Sequence, residues 1–300
     1  MDSDLQVVKG MSFRTGQLTE WVKWKSLGVG GFGDVYLATV TKPVPRLVAV
    51  KYSSSPSPSL QKEYRVLRRF LGCPNIVQCY GEVITIEHGV TNHNLLLEYA
   101  NRGSLLSLIK KYGRKIPESD VRHYTKAIVE GLCVIHEKGY VHCDIKPQNI
   151  LVYCSNQSNS LKIADFGLAK EPGERDVDAI VSPYHRGTFN YMSPEAAYEG
   201  KISAARDIWA LGCTIVEMMT GKLPSMETPN TVPPRMSMSG KDFLMRCFAK
   251  DPSQRWTAKR LLTHEFLRPN YAPKMFSLPH EMMHQNRHAL NPSPQVVHRC

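Results

Sequence analysis

The sequence lacks an apolar run long enough to cross a lipid bilayer. Its longest apolar stretch, IWALGCTIVEMM at residues 208–219, includes Glu217, and a membrane-spanning helix needs about 20 apolar residues. The N-terminal stretch MDSDLQVVKGMSFRTGQ is polar and charged, and it has no apolar segment typical of a secretory signal. We therefore expect an intracellular protein in the cytoplasm, with the nucleus as a second compartment.

The chain also lacks the cysteine spacings of metal sites and disulfide frameworks. None of its 8 cysteines belongs to a C-x-x-C pair. They are scattered through predicted strands and helices, as Cys79, Cys133 and Cys213 illustrate. This pattern favours buried free thiols over disulfides.

An arginine-rich arm and zinc-finger spacing are absent as well. The formal net charge is +11, but the basic residues are dispersed, apart from KKYGRK at 110–115. Nucleic-acid binding is therefore not expected, and we interpret the charge as a solvated basic surface.

The sequence does contain a change of pattern near residue 100. Before it, alternating stretches such as DVYLATV and RLVAVKY predict antiparallel strands, together with one helix that ends at Gly72. After it, apolar residues recur at helical spacing, and the helix predicted over 118–139 begins with acidic residues and ends with glycine. A β-rich half followed by a helical half predicts an α+β protein with two lobes.

Gly28, Gly30 and Gly33 form a G-x-G-x-x-G motif in the β-rich half. Glycines let backbone N–H groups approach phosphate groups closely. The same motif occurs in dinucleotide-binding folds, where it precedes a helix and an acidic residue follows about twenty positions later. Here a second strand follows the glycines, and Lys51 appears instead of the acid. These features argue against a dinucleotide fold.

Lys51 and Glu63 have a spacing that suits phosphate chemistry. A cation stabilises the negative charge that accumulates during phosphoryl transfer, although a lone lysine at a strand end is usually just solvated. Glu63 lies one helical turn from Leu60 and Leu67, on the face expected to pack against the sheet. It can therefore reach back to Lys51 and hold the ammonium group over phosphates.

The stretch HCDIKPQN at 142–149 supplies further candidate residues. Asp144 can accept the proton of an incoming hydroxyl, and Lys146 can stabilise a γ-phosphate. Asn149, and Asp165 after the next predicted strand, offer the oxygen ligands that Mg²⁺ prefers. Any one of these could be an ordinary surface residue, but together, in this order and spacing, they indicate phosphoryl transfer.

These motifs resemble those of eukaryotic protein kinases. The resemblance includes YMSPE, which ends at Glu195, DIWALG with Asp207, and Arg255 as the buried partner of Glu195. It implies a two-lobed protein-kinase fold that uses ATP and Mg²⁺. The implied domains are an N-terminal extension at 1–20, a kinase domain at 21–268 with N-lobe 21–100, C-lobe 101–268 and activation segment 165–195, and a C-terminal tail at 269–300.

The resemblance also implies the ATP site. Leu97 matches the gatekeeper, and Glu98 to Ala100 match the adenine-binding hinge. The positions that match ATP-binding residues of the family are Leu27, Gly28, Val29, Gly30, Gly31, Phe32, Gly33, Asp34, Val35, Ala49, Lys51, Leu97, Glu98, Ala100 and Leu151.

The substrate class follows from smaller details. The lysine of DIKPQN and the GT pair at 187–188 are similar to serine/threonine kinases, in which Thr188 would bond Asp144 and Lys146. More narrowly, LGVGGFGDVYLA, GYVHCDIKPQNILV and RGTFNYMSPE resemble short MEKK-type MAP kinase kinase kinases of plants, which implies a MAP kinase kinase as substrate. The alternative is a pseudokinase scaffold that binds partners without catalysis, but the complete set of catalytic residues argues against it.

One departure from the family is Cys143, which stands where most members have arginine. A neutral, short thiol cannot pair with a phosphate on the activation segment. We therefore expect activity that depends little on phosphorylation of Ser182 or Tyr184, and inhibition by phosphorylation of Thr188. If a loop phosphate still matters, another cation such as Arg122 or Lys170 would replace the arginine.

A second departure is the short segment at 225–238, where the family has an additional helix. Its prolines and lack of helical period predict that this helix is missing. We expect weakened substrate docking and an exposed apolar patch near Phe243 and Phe248. The tail contains HEMMH at 280–284, which matches a zinc-protease motif. Too little chain surrounds it to build a catalytic domain, so we interpret it as a coincidence.

Overall fold

The computed structural model describes most of the chain outside the glycine-rich turn, the middle of the activation segment and the tail. Among the described residues up to Glu98, the elements are six strands, one α-helix and one short 3-10 helix, and beyond Glu98 they are mainly helices. The predicted change from a β-rich to a helical half is therefore confirmed. The described residues are 6–11, 18–28, 33–54, 57–113, 115–155, 158–174, 186–223 and 232–268.

The N-lobe sheet is antiparallel, with strand order β1-β2-β3-β4-β6-β5. Its strands are Gln6–Met11 (β1), Leu18–Gly28 (β2), Asp34–Lys42 (β3), Arg46–Ser53 (β4), Cys79–Glu87 (β5) and Val90–Glu98 (β6). Strand β1 was not predicted, and it lies in the segment that the sequence analysis assigned to the extension. It pairs with β2 from Gln6 to Met11 and places Val8 in the core beside Trp21.

Helix α1, Pro58–Leu67, packs on this sheet. The Ser57 hydroxyl accepts the N–H of Leu60 at 3.3 Å, which satisfies a free donor at the start of the helix. The buried face contains Leu60, Glu63 and Leu67, as its sequence spacing predicted. The α-helix ends five residues before Gly72, because the chain tightens into a short 3-10 helix over Arg68–Phe70.

The C-lobe contains six α-helices in its described part and one β-hairpin. The helices are Leu105–Lys111 (α2), Glu118–Glu137 (α3), Pro194–Glu199 (α4), Ala204–Thr220 (α5), Met238–Cys247 (α6) and Ala258–Leu261 (α7), and the hairpin strands are Ile150–Ser155 (β7) and Ser158–Ile163 (β8). Nearly all of α5 is buried in the C-lobe core, which explains its long apolar run. Within the described ranges, no helix has the length and hydropathy to span a membrane.

The structure of the C-lobe differs in part from what the sequence predicted. The prediction of an exposed apolar patch near Phe243 and Phe248 was wrong, because both side chains are buried. Phe243 packs against the ring of Phe266, and Phe248 against the ring of Trp209. Helix α7 is followed by a separate short 3-10 helix at Glu265–Leu267, where His264 accepts the N–H of Phe266. The shortened segment at 225–238 is described only from residue 232, and the chain forms a turn at 232–237. HEMMH lies wholly outside the described residues.

The cysteines in the described ranges are free thiols, as expected from their spacing. Most of them are buried, including Cys79, Cys133 and Cys213.

Candidate active site

Strand β4 and helix α1 bring Lys51 and Glu63 together. The Lys51 Nζ atom lies 2.6 Å from Glu63 Oε2 and 3.0 Å from Asp165 Oδ1. Burial alone would lower the pKa of Lys51, but the two carboxylates outweigh it and raise that pKa above its usual value. The lysine therefore stays charged and is held between the lobes, where the sequence predicted a contact with phosphates.

Asp144, the predicted proton acceptor, is buried and held by three other side chains. Lys146 Nζ lies 2.7 Å from Asp144 Oδ2, and the amide of Asn149 donates to the same oxygen at 2.8 Å. The Thr188 hydroxyl donates to Asp144 Oδ1 at 2.8 Å and accepts from Lys146 at 2.7 Å. The contacts predicted for Thr188 are thus present, and they fix the carboxylate that would face a substrate hydroxyl.

Asp207, in the first turn of α5, anchors this loop from below. It accepts the backbone N–H groups of His142 at 2.8 Å and Cys143 at 2.9 Å, and it contacts the His136 ring at 2.9 Å. Burial would raise the pKa of Asp207, but the hydrogen bond and charge of His136 hold it below its usual value. Cys143 adopts a left-handed backbone, with φ of 71°. That strained conformation lets both N–H groups converge on one carboxylate.

Asp165 follows β8 on a turn that also has a left-handed backbone, with φ of 65°. The next residue, Phe166, is buried and packs on the rings of Phe70 and His142 at centroid distances of 5.6 and 4.7 Å. Because Phe166 fixes the turn from inside, the carboxylate of Asp165 is directed toward Lys51.

Asn149 and Asp165 suit the predicted Mg²⁺ ion. Both offer hard oxygen donors, and Mg²⁺ commonly uses only one or two protein side chains together with substrate phosphates. The Nδ2 atom of Asn149 donates to Asp144, so its Oδ1 atom is the one that can face a cation. The donor chemistry therefore fits the ion, and the assignment of these two ligands stays a prediction.

The predicted adenine-binding residues lie at the edge where the lobes meet. Ala49 on β4 is paired with Leu97 on β6, and Val35 on β3 is paired with Lys51. The hinge carbonyl of Glu98 is 3.4 Å from the Tyr153 hydroxyl, and its carboxylate is 2.7 Å from Lys162.

The other described positions predicted to bind ATP lie at the strand ends that flank residues 29–32, just after β6 and in β7. Leu27 and Gly28 end β2, and Asp34 begins β3. Gly33 has φ of 119°, and a Cβ there would lie 2.7 Å from the carbonyl oxygen of Tyr52, so glycine is required. Ala100 lies just after β6, and Leu151 is the second residue of β7. Val29, Gly30, Gly31 and Phe32 lie outside the described residues, as do Ser182 and Tyr184 of the activation segment.

The predicted buried pair of Glu195 and Arg255 is present. Arg255 donates to both carboxylate oxygens of Glu195, at 2.7 and 3.2 Å, and also to the carbonyls of Ala205 and Ala249. It links the end of the activation segment to the base of the C-lobe.

Of the cations suggested as replacements for the missing arginine, Lys170 lies close to Cys143, because its backbone pairs with Val141, and its suggested role stays a prediction. Arg122 lies over the ring of Phe266, and Lys170 Nζ donates to the carbonyl of Ile202 at 3.3 Å. Burial raises the pKa of the Cys143 thiol to about 11, so the thiol is neutral, as expected. The sequence analysis missed Arg206, whose guanidinium donates to the Cys143 carbonyl at 3.1 Å. A charged residue within an apolar helix was the signal that could have found it.

Comparison with known proteins agrees with this geometry. The family described as "Protein kinase domain" matches residues 21–267. Mitogen-activated protein kinase kinase kinase 20 of Arabidopsis thaliana is 43% identical over 272 residues, which cover 83% of this chain and 78% of the relative. Mitogen-activated protein kinase kinase kinases 17 and 18 of the same plant are each 36% identical, over 85% and 82% of this chain and 72% and 77% of the relatives. The chain therefore belongs to the protein kinase family, and it is an ATP-dependent protein serine/threonine kinase.

Proposed function

We propose that this kinase acts as a MAP kinase kinase kinase in the cytoplasm, with a MAP kinase kinase as its substrate. The names and identities of the plant relatives support the cascade position. The main structural support for catalytic activity is the joint presence of the Lys51–Glu63 pair and the Asp144–Lys146–Thr188 cluster. The proposed location rests on the sequence alone.

Each residue has a definite task in this proposal. Lys51, held by Glu63, orients the phosphates of ATP, and Mg²⁺ bound by Asn149 and Asp165 would neutralise their charge. Asp144 accepts the proton of the attacking serine or threonine hydroxyl while the oxygen bonds to the γ-phosphorus. Lys146 stabilises the negative charge on the transferred phosphoryl group. The bond from the γ-phosphorus to the bridging oxygen breaks, and ADP leaves with the electron pair.

The geometry weighs against the pseudokinase alternative. A scaffold needs no ordered proton acceptor, yet Asp144 is fixed by Lys146, Asn149 and Thr188. The buried pair of Lys51 and Glu63 is costly to maintain, because both charges must leave water. Retention of both features favours catalysis.

The test uses the purified 300-residue chain, Mg-ATP and a MAP kinase kinase whose own catalytic aspartate has been replaced. We expect phosphorylation of serine or threonine in the MAP kinase kinase, and none with the Asp144→Asn variant. Phosphorylation of a generic substrate without transfer to any MAP kinase kinase would contradict the cascade position. Tight ATP binding without any transfer would instead favour the scaffold.

A further inference from the structure

Glu174 lies at the centre of an ionic cluster between the lobes. Its carboxylate accepts from Lys62 Nζ at 3.1 and 3.3 Å, from the Arg186 guanidinium, and from the backbone N–H of Glu171 at 3.0 Å. The Lys62, Glu174 and Arg186 side chains are only 18–19% exposed. They are therefore shielded from water more than ordinary surface ion pairs are.

The partners of Glu174 belong to the two parts of the site that must be aligned for catalysis. Lys62 precedes Glu63, the partner of Lys51, on α1. Arg186 lies two residues before Thr188, which contacts the catalytic Asp144. The carboxylate of Glu174 thus joins helix α1, which positions Lys51, to the segment at 186–188. We call this segment the acceptor wall, because it would lie beside the substrate hydroxyl.

A second ion pair supports this connection. Arg65, one helical turn from Lys62, donates to Glu171 at 2.6 Å. Glu171 is also the residue whose N–H binds Glu174. The start of the activation segment is therefore held against α1 at two points.

Arg206 fixes the same wall from the C-lobe side. Its Nη2 atom donates to the carbonyl of Arg186 at 2.5 Å and to the carbonyl of Cys143 at 3.1 Å. Arg206 is buried, with 5% of its surface exposed. A Cβ on Gly187 would lie 2.4 Å from the Cys143 carbonyl oxygen, so the wall is packed directly on the catalytic loop. Arg186 is therefore held by Glu174 at its guanidinium and by Arg206 at its carbonyl.

We propose that Glu174 and Arg206 are positioning residues that together replace the loop phosphate and the arginine of kinases with His-Arg-Asp. Glu174 supplies a fixed anion between α1 and the acceptor wall, and Arg206 supplies the cation beside the catalytic loop. The proposal rests on the kinase activity and deepens it, by stating how the site stays aligned without phosphorylation.

The charge of Glu174 is permanent under physiological conditions. Burial would raise its pKa, but the Glu171 N–H, Arg186 and Lys62 lower that pKa to about 2. A phosphate would have to be added in a separate phosphorylation reaction, whereas this carboxylate is charged as soon as the chain folds.

The first experiment measures kcat and KM of the full chain on a generic serine/threonine peptide after phosphatase treatment. Glu174→Gln should lower kcat about tenfold or more, because charge-assisted contacts to both cations are lost. Glu174→Asp, which keeps the charge, should stay within about threefold of the wild type. Glu137→Gln is the matched control, since Glu137 is 55% exposed and pairs with Lys259 at 3.7 Å. Melting temperatures of the variants show whether each is folded.

The inference is overturned if Glu174→Gln matches Glu137→Gln in both constants, or if Glu174→Asp loses as much as Glu174→Gln. Lys62→Met tests the same contact from α1, and the double variant with Glu174→Gln should lose no more than the worse single variant. Effects that multiply would contradict the shared contact. A wild type without activity would contradict the proposed function as well, whereas an active wild type and an equally active Glu174→Gln would remove only this inference.

Arg206 is tested against another arginine of the C-lobe. Arg206→Met should lower kcat about tenfold, and Arg206→Lys should restore part of the loss, because an ammonium can still bind a carbonyl. Arg246→Met is the control, since Arg246 is 45% exposed and pairs with Asp242. Equal kinetics of Arg206→Met and Arg246→Met would overturn the assignment of Arg206.

Discussion

Asp207 and Glu174 both hold the active site together, but they differ in their access to water. Asp207 has 1% of its side chain exposed and binds backbone N–H groups of the catalytic loop. Glu174 has 18% exposed and binds flexible cationic side chains from α1 and the acceptor wall. The first arrangement is part of the folded core. The contacts of Glu174 align α1 with the acceptor wall, and these two segments could separate while the core stays folded. Loss of Asp207 should therefore lower stability, whereas loss of Glu174 should mainly lower the catalytic rate.

The largest expected effect is a loss of catalytic rate without a loss of stability. Asp144→Asn should reduce the rate of phosphoryl transfer roughly a thousandfold or more, because the hydroxyl loses its proton acceptor. Its melting temperature should stay close to the wild type, since the substitution keeps the shape.

Lys51→Met should reduce the rate as severely but also destabilise the fold. It leaves Glu63, which is 1% exposed, as a buried carboxylate without its ammonium partner, at a cost of about 3 kcal/mol or more. Kinetics with calorimetry would test both variants. An Asp144→Asn rate equal to that of the wild type would indicate a contaminating kinase.

Asp207→Ala should lower stability and activity together, unlike Glu174→Gln. Removing this carboxylate leaves the N–H groups of His142 and Cys143 buried without an acceptor, so unfolding should become easier by about 3 kcal/mol. Activity should fall together with stability. Denaturant unfolding measures the difference, and a stable but inactive Asp207→Ala protein would show that Asp207 acts only on loop geometry.

Thr188→Val should have an intermediate effect. The substitution keeps the size of the side chain but removes its hydrogen bonds to Asp144 and Lys146, and we expect kcat to drop roughly tenfold to a hundredfold. Phosphorylated Thr188 should also be inactive, because the phosphate would occupy the acceptor position. A Thr188→Val variant with full kcat would mean that the hydroxyl only fills space.

Removal of residues 1–12 should affect stability and leave catalysis largely intact. It deletes β1, which pairs with β2 and buries Val8 in the N-lobe core. The loss should be about 2 kcal/mol from apolar burial, seen as a lower melting temperature. An unchanged melting temperature would indicate that β1 is only an appendage.

Local pattern determined how much could be predicted from the sequence. Glu63 was correctly directed inward, because its helix repeats apolar residues every turn. The contacts of Thr188 followed from the family resemblance. Strand β1 was missed because its short sequence QVVKGM shows no clear alternation, and part of its pairing is with Ile84 and Thr85 on the distant strand β5. The burial of Phe243 was missed because its partner Phe266 comes from another element, and Arg206 because sequence does not tell where a charged side chain on a buried helix points.

The kcat of the dephosphorylated enzyme shows whether alignment of the active site needs a phosphate on the activation segment. The variant Ser182→Ala with Tyr184→Phe removes the expected phosphorylation sites of the activation segment, and its kcat can be compared with that of the wild type before and after phosphatase treatment. Because Glu174 already supplies an anion between Lys62 and Arg186, all three preparations should agree within about threefold. A loss beyond about tenfold, roughly 1.4 kcal/mol of barrier, would show that a loop phosphate still aligns the site.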